Sequence, residues 1–93
     1  MAHASEQSYE EMINALQNFL SEAEEQCRAM ESAGNDCVDN TEGDAAAEKS
    51  NAKLQKCIGN IRGVFEEIQG VITALQEELE DIRKAAANAG GDE

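Results

Sequence analysis

The chain has 93 residues and a formal net charge of −13, from 20 acidic and 7 basic residues, with no proline and only three aromatic residues. That length allows one small domain, and the composition removes most signals for a sheet. The acidic balance argues against nucleic acid, whose affinity comes from neutralising phosphates with Lys and Arg, and against an anionic membrane surface.

In chain order, the N-terminal stretch MAHASEQSYEE has neither a basic region nor an apolar run, so no Sec signal is expected, and no stretch reaches the ~20 apolar residues a membrane span needs. His3 suggests no role. Ser8 and Glu11 fit a capping box, predicting that helix one begins near Ser5 to Ser8. Tyr9, Ile13, Leu16, Leu20, Ala23, Cys27 and Met30 then repeat four-three spacing, a heptad seam that ends close to Gly34. The run AGNDCVDNTEGD gathers turn formers and gives the loop. Thr41 with Asp44 offers a second capping box for helix two. From Leu54 to Ile82 an apolar residue recurs at alternating four and three steps: Leu54, Ile58, Ile61, Phe65, Ile68, Ile72, Leu75, Leu79, Ile82. Gly90 and Gly91 end the pattern.

The expected architecture is therefore all-α, an antiparallel two-helix hairpin over residues 1–93. Helix one spans about 6–34, the loop about 35–41, helix two about 42–88, and a flexible tail 89–93. A short loop centred near residue 42 sets the register, so that Met30 meets Leu54, Cys27 meets Cys57 or Ile58, Leu20 meets Phe65, and Tyr9 meets Leu75. Cys27 and Cys57 should then lie within reach of each other across the hairpin.

Each helix carries more apolar surface than one seam covers. Met12 and Phe19 on helix one, and Cys57, Val64 and Val71 on helix two, recur at sevens beside it. These residues are the candidate partner-binding set, and dimerisation into a four-helix bundle is the expected way to cover them. Helix one holds seven glutamates against a single Arg28 up to Ala33, so a less acidic hetero-partner fits at least as well as a second copy. On the far side of helix two, Ala52, Gly59, Gly63, Gly70 and Ala74 share a face at roughly 100° per residue. Glycine there costs about 1 kcal/mol each relative to alanine. Gly59, Gly63 and Gly70 are thus either tolerated or form a ridge where a partner's backbone approaches, with Arg62, Glu66 and Glu67 flanking it and setting register.

Other chemistry finds little support. The acidic loop with Asp36, Asp39, Glu42, Asp44 and Glu48 fails the calcium-loop register, because Cys37 would be the first ligand and Thr41 the fifth. Three widely spaced cysteines match neither a disulfide scaffold nor a zinc site. Carboxylates without a concave, partly desolvated site do not make an enzyme. The expectation is no enzyme, no metal, no cofactor, and a partner that is another helical protein.

The stretch TEGDAAAE, Thr41 to Glu48, lying between two helices in a chain of this length, resembles the WXG family of type VII secretion systems, small helical hairpins that pair into four-helix bundles. Gly43 and the run Ala45, Ala46, Ala47 match the turn and the small residues that open helix two. Thr41 stands where that family has Trp, and the tail RKAAANAGGDE lacks its Tyr-x-x-x-Asp/Glu export signal. The resemblance implies an accessory partner or targeting chaperone for a type VII secreted protein, bound to the helical N-terminal domain of a secreted toxin, residing in the cytoplasm and open to export by that system. The alternative is a cytosolic coiled-coil adaptor or structural protein unrelated to secretion.

Overall fold

The computed structural model describes residues 2–91, with side chains from 5 to 89. The chain is all-α, an antiparallel two-helix hairpin: α1 runs Ala2–Asn40 and α2 Ala45–Gly91, with no strand among the described residues. The packing divides into two compact units, Leu20–Glu66 and Met1–Phe19 with Glu67–Glu93.

Leu20–Glu66 contains the turn. Its fully buried side chains are Cys27 and Ile58, each 1% exposed, and Gly34 of α1 is also buried. Gly34 explains why α1 outruns the expected end at residue 34. A Cβ added there would lie 2.2 Å from Asn51 Oδ1 and 3.1 Å from Leu54 Cδ2, so the glycine lets α2 come close and does not terminate the helix. Asn51 Nδ2 donates to Asn35 Oδ1 at 3.1 Å across this contact, and Gln55 Nε2 donates to Asn51 Oδ1 at 2.9 Å. Helix one thus continues through most of the stretch expected to be loop, 35–41.

The turn itself is Thr41 to Asp44. Thr41 Oγ1 donates to the Cys37 carbonyl at 2.6 Å, occupying a carbonyl of the last turn of α1, and Gly43 adopts φ +72°, a conformation costly for other residues. Asp44 is the N-cap of α2: its Oδ1 accepts from the backbone N–H of Ala46 at 2.9 Å and of Ala47 at 3.2 Å. Helix two therefore starts at Ala45 and not around Glu42, because Thr41 closes the first helix and Asp44 opens the second. The expected Thr41–Asp44 box divides into one residue for each helix end. Replacing Asp44 with Ala should cost about 1 kcal/mol, which a thermal melt would register as a fall of about 4–8 °C.

The second unit pairs the N-terminal part of α1 with the C-terminal part of α2. Its core is Ile13 at 6%, Ile72 at 0% and Leu79 at 6% exposure. Ser8 and Glu11 sit inside α1, where Glu11 accepts a hydrogen bond from Gln7 at 3.1 Å, so the expected start near Ser5 to Ser8 gives way to Ala2. At the other end α2 passes residue 88 and includes 89–91, segments that alanine-rich sequence favours over a tail. Residues 92 and 93 of the expected tail lie outside the described residues, as does the side chain of His3.

The core lines recur at sevens. Ile13, Leu20, Cys27 and Gly34 follow one another on α1, and Ile58, Phe65, Ile72 and Leu79 on α2, all buried or half-buried. Ile61, placed in the seam by its spacing, is 38% exposed. It stands three residues past Ile58, on the shoulder of the contact. Cys57 is also exposed while Cys27 is buried, and both are thiols without a disulfide. Of the two partners expected for Cys27, Ile58 is buried with it in the core of this unit and Cys57 stands at the surface.

Candidate partner-binding surface

The apolar residues expected beside the seam are exposed. In the unit that contains residues 67 onward, Met12 and Phe19 are 50% and Val71 45% exposed. Met12 lines a shallow groove with Ser8, Tyr9 and Leu75, which puts the apolar sides of α1 and α2 on one flank of this unit and matches the expected meeting of Tyr9 with Leu75. In Leu20–Glu66, Val64 is 49% exposed and Cys57 is exposed, with Ile61 as an addition that the seam assignment concealed. Contiguous exposed apolar surface is what marks interaction sites on a protein, and these side chains are its candidates here.

The opposite flank is polar and closed by ion pairs. In Leu20–Glu66, Arg62 reaches across to α1: its Nη2 lies 2.7 Å from Glu31 Oε1 and 3.0 Å from Glu24 Oε1, and its Nη1 is 2.8 Å from Glu31 Oε2. In the other unit Arg83 pairs with Glu10 and lines a groove with Gln17, Gln76 and Leu79. Arg62, expected to flank the glycine ridge, has its guanidinium bound to two carboxylates of its own hairpin. The signal was present in the heptads. Glu10, Gln17, Glu24 and Glu31 recur at sevens on α1, and Arg62, Gln69, Gln76 and Arg83 on α2, so that opposite charges fall at matching heights in an antiparallel pair.

Arg62 also shifts the acid it holds. Its hydrogen bond keeps the Glu31 carboxyl below the ordinary value of 4.5, against some desolvation and with help from the charges of Arg62 and Arg28. A depressed carboxyl stabilises the fold fully above its unfolded value and loses that contribution as pH falls through the folded value. The stability gap between the native chain and Glu31→Gln should be full near neutrality and close below pH 4.5. Both side chains are about a third exposed, so solvent screening keeps the gap modest. Thermal melts of both proteins across that range would check it, and a gap that widens on acidification would contradict the assignment.

Gly59, Gly63 and Gly70 are exposed, and nothing lies within 4 Å of a Cβ built at any of them. Their face is empty space for a neighbouring backbone. It contains no apolar side chain comparable to Val64 or Val71, which makes the flank the stronger candidate of the two.

No known protein family, curated protein or solved structure matches the chain. Among the described residues no group of three or more His, Cys, Asp or Glu is placed to hold a metal ion, and no helix is long and apolar enough to cross a membrane. No described buried side-chain polar atom lacks a hydrogen-bond partner. Among the described residues the hydrogen-bonding needs of buried side chains are met within the hairpin, and the large apolar side chains left exposed are Met12, Phe19, Ile61, Val64 and Val71.

Proposed function

We propose that this chain is a helical protein–protein interaction module that binds helices of another polypeptide along the apolar flank of its hairpin, pairing into a four-helix bundle. The observation that carries this reading is the exposure, between 38% and 50%, of Met12, Phe19 and Val71 in the unit whose core holds Ile72, and of Ile61 and Val64 in the unit whose core holds Cys27 and Ile58. Packing a helix over such a flank removes large side chains from water at about 25 cal/mol per Å² of apolar area. Catalysis forms no part of the proposal.

The finer reading is a WXG-like accessory partner or targeting chaperone for a type VII secreted protein. It is supported by the turn, where Gly43 in the left-handed conformation precedes Ala45 to Ala47 at the head of α2. The partner on this reading is the helical N-terminal domain of the secreted protein. Co-expression with the products of neighbouring genes, followed by pull-down, tests both levels. A stoichiometric helical partner, released when Phe19→Gln and Val64→Gln are combined, is the expected result; a folded chain that stays monomeric at micromolar concentration and captures no helical protein would refute the module.

A further inference from the structure

We infer that the partner helix docked on the flank of Leu20–Glu66 carries carboxylates along one edge, where they meet a row of lysines, Lys49, Lys53 and Lys56, on α2. The inference rests on the module reading above and states the chemistry of the partner at this unit.

Between Glu48 and Glu66, α2 has no acidic residue, in a chain whose acidic residues outnumber its basic ones by 20 to 7. Of the cations in that stretch, Arg62 is taken up by Glu24 and Glu31. Lys49, Lys53 and Lys56 are exposed and have no ion pair among the described residues, whereas Arg28, Arg62, Arg83 and Lys84 are each paired. Steps of four and three put the three lysines within about 60° of one another on the helix. Like charges one turn apart repel, so the row weakens its own helix, and no carboxylate of α2 stands one turn away to relieve it.

The row borders the apolar flank, because at 100° per residue Lys53 lies within about 40° of both Cys57 and Val64. Nearer the turn, Ser50 precedes Cys57 and Val64 at intervals of seven, and Leu54 precedes Ile61 likewise. A groove of about 490 Å³, lined by Ala33, Gly34 and Cys37 of α1 and by Ala47, Ser50 and Leu54 of α2, therefore opens on the same side. Most of these side chains are small, which leaves room for a large apolar one from outside. The edge on α1 is Gln26 and Ala33, with Glu22 only at the end away from the turn. One edge of the flank is cationic and the other nearly neutral.

A helix that fills the groove and covers Cys57, Ile61 and Val64 brings its own edge against the lysines, and carboxylates there are the groups that complement them. The demand is local, so a partner less acidic overall than this chain can meet it. A second copy seated by this same unit fits worse, since its flank offers lysines or uncharged residues to the row. A nucleic-acid duplex would also meet Glu42, Asp44 and Glu48 beside the row, which repel it.

Two synthetic amphipathic helices, alike in a leucine face and bordered along one edge by glutamates or by lysines, test the inference against the full chain. At about 0.15 M salt, charges farther apart than about 8 Å are largely screened, so the contacts at the edge decide. The glutamate helix should bind at least about tenfold more tightly than its lysine twin, and Lys49→Glu, Lys53→Glu and Lys56→Glu combined should reverse the preference. Bound glutamate helix should also slow alkylation of Cys37 in a Cys57→Ser background, because Cys37 lines the groove. Preference for the lysine twin, a preference unmoved by the charge reversal, an unprotected Cys37, or a DNA duplex bound as tightly as the glutamate helix each overturns the inference. Equal affinities that both fall with Val64→Gln overturn it and leave the module reading standing, whereas binding of neither helix overturns it and leaves the module to the co-expression pull-down.

Discussion

Replacing Gly59, Gly63 and Gly70 together with alanine should raise the stability of the chain by about 1.5–3 kcal/mol and its melting temperature by about 6–24 °C. Each glycine is inside α2, where its backbone freedom is lost on folding at a cost of about 0.5–1 kcal/mol relative to alanine. A Cβ at each would meet nothing within 4 Å, so no clash offsets the gain. Gly59 and Gly63 are one turn apart and Gly70 lies further along the helix, and with no shared partners the three effects should add. Gly34 provides the contrast. Alanine there needs space 2.2 Å from Asn51 Oδ1, so the Asn51 amide must swing away from Asn35 and Gln55, and the helix-propensity gain is spent on those lost bonds. Circular-dichroism melts of the triple variant and of Gly34→Ala, compared with the native chain, separate a glycine that is idle from one that sets the distance between helices.

The opposite effect is expected at the core. Ile72 is 0% exposed, and Ile72→Ala removes a branched side chain whose neighbours cannot fully collapse into the space, a loss of about 2–5 kcal/mol. For a chain of this length total stability is roughly 5–14 kcal/mol, so one substitution takes a large share of it. Thr73→Ala, on an exposed position of the same helix, should stay within about 0.5 kcal/mol. Urea titration of the two variants gives the comparison. Similar midpoints would mean that the burial of Ile72 is not what holds this part of the hairpin together.

Two helices, their antiparallel order and most of their core could be read from the heptads, because apolar spacing reports directly on which face is buried. Ile13, Cys27, Ile58, Ile72 and Leu79 were all on the expected seam lines. The helix ends were not legible in the same way. Gly34 has the composition of a terminator, but its role depends on Asn51 and Leu54 from the other helix, a tertiary fact that local sequence does not carry. Thr41 and Asp44 fitted one capping box by spacing, and only the backbone path shows that they serve different helices. Ile61 and Cys57 turned on the width of the contact, which alternating steps of four and three overestimate: the buried line advances by sevens, and its neighbours stand on the shoulders. The exposed flank of Met12, Phe19, Val64 and Val71 was visible in advance because those residues repeat outside the seam. The ion pairs of Arg62 and Arg83 depend on polar heptads of the two helices standing at matching heights, which apolar spacing along one helix does not carry.

On the proposed function the apolar flank, rather than the glycine ridge, is the surface by which this chain engages another. Binding of a co-purified helical partner, measured by titration calorimetry, compares the two directly. One variant carries Phe19→Gln and Val64→Gln; the other carries Gly59→Gln, Gly63→Gln and Gly70→Gln. The flank variant should lose at least about tenfold in affinity, corresponding to about 1.4 kcal/mol, while the ridge variant should bind as the native chain does. Unchanged binding by the flank variant, with affinity lost only in the ridge variant, would contradict it.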